Sequence, residues 1–294
     1  MSKEKQTIVG VIGLGSMGLG MAQTLAGKGF ETLGFDLSDE RKALAEKSGV
    51  VPVNGIADAF ERSTFLVFSL PTAKDVASVV NDHIDTLKNR HGDRVIIIDT
   101  STSEPDVSRE LALRLNALDH GFLDAPVSGG PGGAASGKLT MMIGGAEEDV
   151  ALARPVIEAM AAKALHVGPS GAGNVAKLVN NLLAAAHMIT TKEGLKLAFS
   201  AGLDPEAALR VLNAASGRSM ISEVHFPTWI MSNTFNSGFS MGLMRKDVRL
   251  ARELAARTGV NLPVADLVAE LWADAAELED KDDFTRMGDF QTSK

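Results

Sequence analysis

Ile8-Val9-Gly10-Val11-Ile12-Gly13-Leu14-Gly15-Ser16-Met17-Gly18 decides how this chain folds. Its apolar, β-branched opening has the character of a buried strand, and it runs into a glycine turn. The turn opens a helical pattern carrying Met21, Ala22, Leu25 and Ala26, which ends near Gly29. A second apolar run, Thr32-Leu33-Gly34-Phe35, is closed by Asp36. Glycines at G-x-G-x-x-G spacing, set between a strand and a helix and followed by a strand ending in an acid, form a dinucleotide-binding fingerprint.

Each position in Gly13-Leu14-Gly15-Ser16-Met17-Gly18 serves that binding. Gly13 allows the tight turn, Gly15 lets a pyrophosphate approach the backbone, and Gly18 lets helix and strand pack closely. The helix N-terminus offers N–H groups and a positive dipole end to the phosphates. Asp36 stands where a carboxylate accepts hydrogen bonds from an adenosine ribose diol. The same charge repels a 2′-phosphate, so NAD is expected as cofactor in preference to NADP. Asp39 and Glu40 reinforce that charge, and Arg41 and Lys42 offset it.

Working outward, strand and helix patterns alternate. Ser38 is placed to cap a helix with acids in its first turn and Gly49 just past its end. Phe65–Pro71, Arg94–Asp99, Phe122–Val127, Leu139–Ile143 and Ala164–Val167 read as further strands. Ser103 reads as the cap of a helix carrying Leu111, Leu115 and Leu118, and Ser128 to Gly137 as a glycine-dense loop. Such alternation predicts an α/β fold with a mostly parallel sheet covered on both faces. The pattern changes at Gly168-Pro169-Ser170-Gly171-Ala172-Gly173. Beyond it lie a long helix from Asn174 to Ser200 and a helix capped by Asp204 with Pro205 in its first turn. Helical patterns over Met244–Arg257 and Val264–Leu278 follow, then a polar tail from Lys281 that is loosely held unless Phe284 and Phe290 dock. The expected organisation is a Rossmann-type domain over residues 1–170 and an all-helical domain over 171–294.

Composition removes several function classes. The chain has 294 residues, 45% hydrophobic and 22% charged, which suits a globular protein of one or two domains. A net charge of −8 without a basic tract argues against nucleic acid and anionic membrane as partners. The absence of cysteine excludes disulfides, thiolate nucleophiles and cysteine metal sites, and the absence of tyrosine excludes a tyrosine proton relay. The six histidines show no metal spacing with carboxylates, so no metal site is expected. Met1–Gln6 is polar and runs straight into a strand, so no signal peptide is expected, and no apolar run reaches bilayer length. A cytoplasmic location is the expectation.

Three further constellations carry chemistry. Lys177, Asn180 and Asn181 share one face of the long helix at offsets of three and four. Alone, that spacing fits a solvent-facing polar stripe as well as a site. Asp124-Ala125-Pro126-Val127-Ser128-Gly129-Gly130 follows a strand at the carboxyl edge of the sheet, where open α/β sheets bind ligands. A serine hydroxyl and two unshielded glycine N–H groups suit a carboxylate, although a ligand-free glycine loop has the same composition. Phe239 to Asp247 alone reads as the start of a helix with a solvated Lys246-Asp247 pair.

In combination and in this order, these segments resemble the β-hydroxyacid dehydrogenase family, which includes 3-hydroxyisobutyrate dehydrogenase, tartronate semialdehyde reductase and threonate dehydrogenase. The resemblance runs from about Thr7 to Phe290. It implies a Rossmann domain and a helical domain joined by one long helix. The helical domain would close the substrate pocket and carry assembly into a homodimer or homotetramer. Residue by residue, it implies that Lys177 is the catalytic acid/base and that Asn181, with Asn180 as a second candidate, binds the substrate. Ser128, Gly129 and Gly130 would hold the substrate carboxylate. Leu70 and Pro71 would pass the cofactor, Thr102 would lie near its nicotinamide ribose, and Lys246 would approach the nicotinamide.

The implied reaction is oxidation of a short, carboxylate-bearing 3-hydroxy acid, with hydride passing to NAD and a proton to Lys177. An exposed lysine, with a pKa near 10.4, is a poor base at neutral pH, so burial and the positive nicotinamide are expected to lower it. Two rivals share the chemistry: a semialdehyde reductase and a sugar-acid dehydrogenase. Lys177 argues against the related imine reductases, and the length argues against 6-phosphogluconate dehydrogenase. A rival of another class is a non-catalytic NAD-binding scaffold.

Overall fold

In a computed structural model, residues 7–90 and 94–290 are described. They fall into two compact units, one ending at Lys177 and the other beginning at Leu178.

The first unit is built on one nine-stranded sheet. Its opening elements are β1 (Ile8–Ile12), α1 (Ser16–Gly27), β2 (Glu31–Phe35), α2 (Asp39–Glu46), β3 (Val51–Pro52), α3 (Ile56–Arg62) and β4 (Phe65–Phe68). Next come α4 (Ala73–Asp82), α5 (Ile84–Lys88), β5 (Ile96–Asp99), α6 (Pro105–Asn116) and β6 (Gly121–Asp124). The remainder is β7 (Val127–Ser128), α7 (Gly130–Ser136), β8 (Leu139–Gly144), α8 (Glu147–Met160), β9 (Ala161–Gly168) and the start of α9 (Ala172–Ser200). The strand order is β3-β2-β1-β4-β5-β6-β8-β7, with β9 beside β8. All pairings from β3 to β6 are parallel, whereas β8 is antiparallel to β6 and β7.

Alternation along the strands explains why both faces are covered. Val9, Val11, Phe65, Val67, Ile96 and Ile98 point into one apolar cluster with Met21 and Leu25 of α1. Ile12, Leu66, Phe68, Ile97 and Phe122 point into another with Phe60, Val76 and Leu111. A strand buried on both faces needs an almost continuous apolar run, which these strands have. Those runs end in Asp99 and Asp124, both at the carboxyl edge.

The second unit is helical: the remainder of α9, α10 (Pro205–Ala214), a π-helix (Ile221–Ile230), α11 (Met241–Thr258), α12 (Pro263–Asp274) and a short 3₁₀ turn (Phe284–Gly288). Its core gathers Met188, Leu195, Phe226, Met244, Trp272 and Phe284.

Several boundaries differ from the sequence reading. Ser38 does cap α2, accepting from the Arg41 N–H. Ser103 does not cap α6. Glu104 occupies the cap position with Pro105 following it, and Leu118 lies beyond the helix end. The Ser128–Gly137 stretch is not a loop throughout, because α7 forms within it. The α7 residue Ala134 is buried, and its carbonyl accepts from Thr24 Oγ1 of α1 at 2.7 Å. The tail is not loosely held as far as Phe290. Phe284 and Phe290 are buried and Asp283 caps the 3₁₀ turn, while Gln291–Lys294 lie outside the described residues. The π-helix had no counterpart in the sequence reading. Pro227 inside it has no N–H to offer a regular helix, and the Met231 N–H donates to the Phe226 carbonyl five residues back.

Candidate active site

The first part of the site lies where the strand order turns, at the carboxyl ends of β1 and β4, the crevice in which such sheets bind ligands. Gly13 follows β1 with φ +91°, and a Cβ there would lie 2.3 Å from the Ser69 carbonyl oxygen. A Cβ on Gly18 would lie 1.8 Å from the Gly13 carbonyl oxygen. Neither position admits a side chain. A Cβ on Gly15 would meet nothing within 4 Å, so the space over that backbone is open. Gly15 and Ser16 are exposed, Met17 is half-buried, and Leu14 is fully buried in the core. No side chain caps α1 and its first turn carries no acid. Its leading N–H groups are therefore directed at whatever occupies that space.

Asp36, directly after β2, is fixed to this turn. Its Oδ2 accepts from the Leu14 N–H at 2.7 Å and its Oδ1 from the Ser38 N–H at 2.9 Å. Each carboxylate oxygen keeps a lone pair for a ribose hydroxyl. Lys42 is drawn aside, 2.8 Å from Asp39 and over the Phe35 ring. Leu70 is half-buried, with its N–H donating to Ser101 Oγ at 3.0 Å, and Pro71 is exposed beside it. The open cradle over Gly15 and the anchored acid fit a dinucleotide.

The second part lies at the ends of β5 and β6. Asp99 and Asp124 are register partners, and both are fully buried. Asp124 Oδ1 accepts from the Gly171 N–H at 2.7 Å and Oδ2 from the Asn174 N–H at 2.9 Å. Burial pushes its carboxyl above the usual range, and the N–H groups of Gly171, Asn174 and Gly173 pull it back. Asn174, also fully buried, accepts from the Ser103 N–H at 2.9 Å and donates to Ser108 Oγ at 3.0 Å. Lys177 follows on α9 and is 6% exposed. Thr102 is half-buried in the β5–α6 connection, and Ser128 is half-buried in β7. Gly129 and Gly130 follow with φ +126° and +62°, a backbone turn that favours glycine at both positions.

A further group of the predicted residues lies by itself in the second unit. Asn181 is buried and its Nδ2 donates to Asp247 Oδ2 at 2.6 Å. Asn180 is exposed, in contrast to the buried Asn181, and its Nδ2 donates to Asn181 Oδ1 at 3.1 Å. Lys246 Nζ stands 3.3 Å from Asp247 Oδ1 and borders a groove of about 640 Å³ with Arg245 and Arg249. Asp247 is 1% exposed, so the pair is not the solvated one read from sequence. Its position was signalled: Met244, Val248 and Ala251 are buried, and Asp247 falls on their stripe of α11. Asn174 had no such signal, because its partners lie far away in sequence.

Among the described residues, no cluster of histidine and acidic side chains could hold a metal, and no helix is long and apolar enough to cross a membrane.

Comparison with known proteins bears on both units. Residues 8–168 match the family described as the NAD-binding domain of 6-phosphogluconate dehydrogenase. Residues 171–290 match the family described as NAD-binding of NADP-dependent 3-hydroxyisobutyrate dehydrogenase. The mitochondrial 3-hydroxyisobutyrate dehydrogenase of Mus musculus is 34% identical over 278 residues, covering 92% of this chain and 82% of the mouse protein. The solved structure of Mycobacterium tuberculosis 3-hydroxyisobutyrate dehydrogenase with L-serine is 33% identical, with a TM-score of 0.88 over 96% of this chain and 98% of that one. Psf3, solved with NADP+ and 2-OPP, shares the fold at 24% identity and a TM-score of 0.85, covering 95% of this chain and 98% of its own.

Proposed function

This chain belongs to the β-hydroxyacid dehydrogenase family of NAD(P)-dependent oxidoreductases, and we propose that it oxidises a short 3-hydroxy acid of the 3-hydroxyisobutyrate kind, with NAD preferred and Lys177 as acid/base. The product is the corresponding semialdehyde or 3-oxo acid. The observation that carries the reading is a buried lysine on the helix rooted at the carboxyl edge of the cofactor-binding sheet.

NAD, when bound, would supply the hydride acceptor for oxidation at the carbinol carbon. The chain supplies the rest. The first-turn N–H groups of α1 and the open backbone at Gly15 receive the pyrophosphate. Asp36 takes the adenosine ribose, and its charge disfavours a 2′-phosphate. Leu70, Pro71 and Thr102 border the rest of the cofactor. Ser128, Gly129 and Gly130 hold the substrate carboxylate through a hydroxyl and backbone N–H groups. Neutral Lys177 takes the hydroxyl proton as hydride leaves, and in the reverse direction its ammonium returns that proton to the carbonyl oxygen. Asn181 orients the reacting oxygen, and Lys246 adds positive charge near the nicotinamide.

The test is NAD(P)H formation with 3-hydroxyisobutyrate, 3-hydroxypropionate, serine, glycerate and threonate, using Lys177→Ala as the blank. The reading expects one acid to stand well above the rest with NAD and to fall by about 10²–10⁴ in the variant, with NAD affinity retained. Equal turnover in the variant refutes the role of Lys177. No turnover of any acid by a folded, NAD-binding sample refutes the reaction.

A further inference from the structure

We propose that Asp124 is a positioning residue that sets Lys177 for proton transfer by clasping the first turn of α9 to the end of β6; the proposal rests on the reading of Lys177 as acid/base.

Asp124 begins the segment that leads to Ser128, Gly129 and Gly130, and its side chain reaches across to the helix that carries Lys177. Its two oxygens accept two different backbone N–H groups, those of Gly171 and Asn174. An amide of the same size has one acceptor oxygen and could satisfy only one of them. The surroundings leave no slack. A Cβ on Gly144 would lie 2.6 Å from Asp124 Oδ1, and a Cβ on Gly173 would lie 2.4 Å from the carbonyl oxygens of Asp124 and Met142. Gly171, at φ +89°, would bring a Cβ to 2.9 Å from the Pro105 carbonyl oxygen.

Asn174 extends the clasp. Its side chain ties the same helical turn to the Ser103 N–H, next to Thr102, and to Ser108 on α6. The buried pair therefore joins the Thr102 connection and the Lys177 helix to the strand end from which the chain runs on to the Ser128–Gly130 turn. Lys177 is three residues past Asn174, a rise of about 4.5 Å along the axis. A tilt of the first turn is thus passed to its ammonium group almost directly.

A buried carboxylate is costly, and that cost argues for a task beyond filling space. At the start of α9 the carboxylate opposes the positive end of the helix dipole, which would otherwise disfavour a charged lysine one turn later. Among the described residues, charged groups near the clasp include Asp99 on β5, in register with Asp124, and Arg109 on α6, beside Gly171 and paired with Asp106.

The test compares the full-length wild type with Asp124→Asn and Asn174→Ala. Amide hydrogen exchange over residues 170–178 reads the clasp without turnover, and NAD affinity and thermal melts read the integrity of the fold. In both variants exchange at the first turn of α9 is expected to rise and kcat to fall by about 10–100-fold, the scale of a misplaced reacting group, with NAD affinity unchanged. In Asp124→Asn alone, the acid limb of the kcat/KM profile for hydroxy-acid oxidation moves to lower pH, because the ammonium form of Lys177 has lost a stabilising charge. Asn174→Ala keeps that charge and its limb stays in place. Wild-type exchange and wild-type kcat in Asp124→Asn overturn the proposal. So does a loss of activity with an unmoved pH profile and a matching loss of NAD affinity, the behaviour of a purely structural residue. A wild type inactive on every acid tested overturns the reaction and, with it, the positioning role; the exchange data then say separately whether the clasp exists.

Discussion

Asn181 Nδ2 donates to Asp247 Oδ2 across 2.6 Å, and both side chains are buried. The amide nitrogen donates and the carboxylate oxygen accepts, which fixes how the Asn181 amide is turned. The Asn181 oxygen, facing away, accepts from Asn180. Removing Asp247 releases the amide to flip and leaves a buried donor unpaired. Asp247→Ala is therefore expected to lower kcat/KM for the hydroxy acid by about 10–100-fold, corresponding to roughly 1.5–3 kcal/mol for a hydrogen bond to a charged group. Steady-state kinetics beside an NAD titration check this. Unchanged kcat/KM would show that Asn181 needs no such orientation.

Asp36 is predicted to set the choice between cofactors. Its carboxylate is held by the Leu14 and Ser38 N–H groups, which fix it beside the glycine turn. Asp36→Ala removes both the ribose acceptor and the charge that repels a 2′-phosphate. The ratio of kcat/KM for NAD over NADP should fall by about 10-fold or more, on the scale of one charge-assisted hydrogen bond. Part of the loss with NAD will come from loosening of the turn itself, so the ratio is the diagnostic quantity. A ratio equal to that of the wild type would refute the assignment.

How far the sequence carried depended on the range of the forces involved. The β1–α1–β2 unit was legible because strand period, turn glycines and the closing acid are local features. Lys177 was legible as a residue, but its burial followed only from the family resemblance, since helix spacing alone fits a solvent-facing stripe equally well. Asp124 was legible as the end of a strand, yet its clasp joins residues 47 and 50 positions apart, and no local pattern announces it. Asp247 was misread because charge was weighed ahead of its place on the buried stripe of α11. The π-helix was missed because Pro227 argues against a regular helix without specifying what replaces it. Ser103 was misassigned because a serine before a helix has other uses; here its N–H serves Asn174.

Two glycines of the fingerprint are predicted to behave oppositely. In Gly18→Ala the new methyl would lie 1.8 Å from the Gly13 carbonyl oxygen, a backbone atom that cannot swing aside. A stability loss of about 1–3 kcal/mol is expected, as for other overpacked sites, along with weaker NAD binding. Gly15→Ala meets nothing within 4 Å, and its φ of −60° suits alanine. It should leave stability unchanged and weaken NAD binding alone, because the methyl occupies the space a pyrophosphate needs. Denaturant unfolding paired with NAD titration separates the two. Equal stability losses in both variants would refute the open-cradle reading of Gly15.

His225 is predicted to make the second unit acid-sensitive. Burial holds its imidazole below the ordinary value of 6.5, against weaker opposing effects of the Met220 carbonyl and the Asp283 charge. Its ring stands edge-on to Trp229 and Phe284, with centroids 5.0 and 5.5 Å away. The folded state thus favours neutral histidine. For a base whose folded pKa lies below its unfolded value, the stabilisation is present above the unfolded pKa and is lost as pH falls through the folded one. The melting temperature should therefore decline on acidification below about 6.5. His225→Phe keeps the aromatic packing and removes the titration, so its melting temperature should fall less steeply over the same range. Parallel melting curves for the two proteins from neutral pH to pH 5 would exclude His225 as the source.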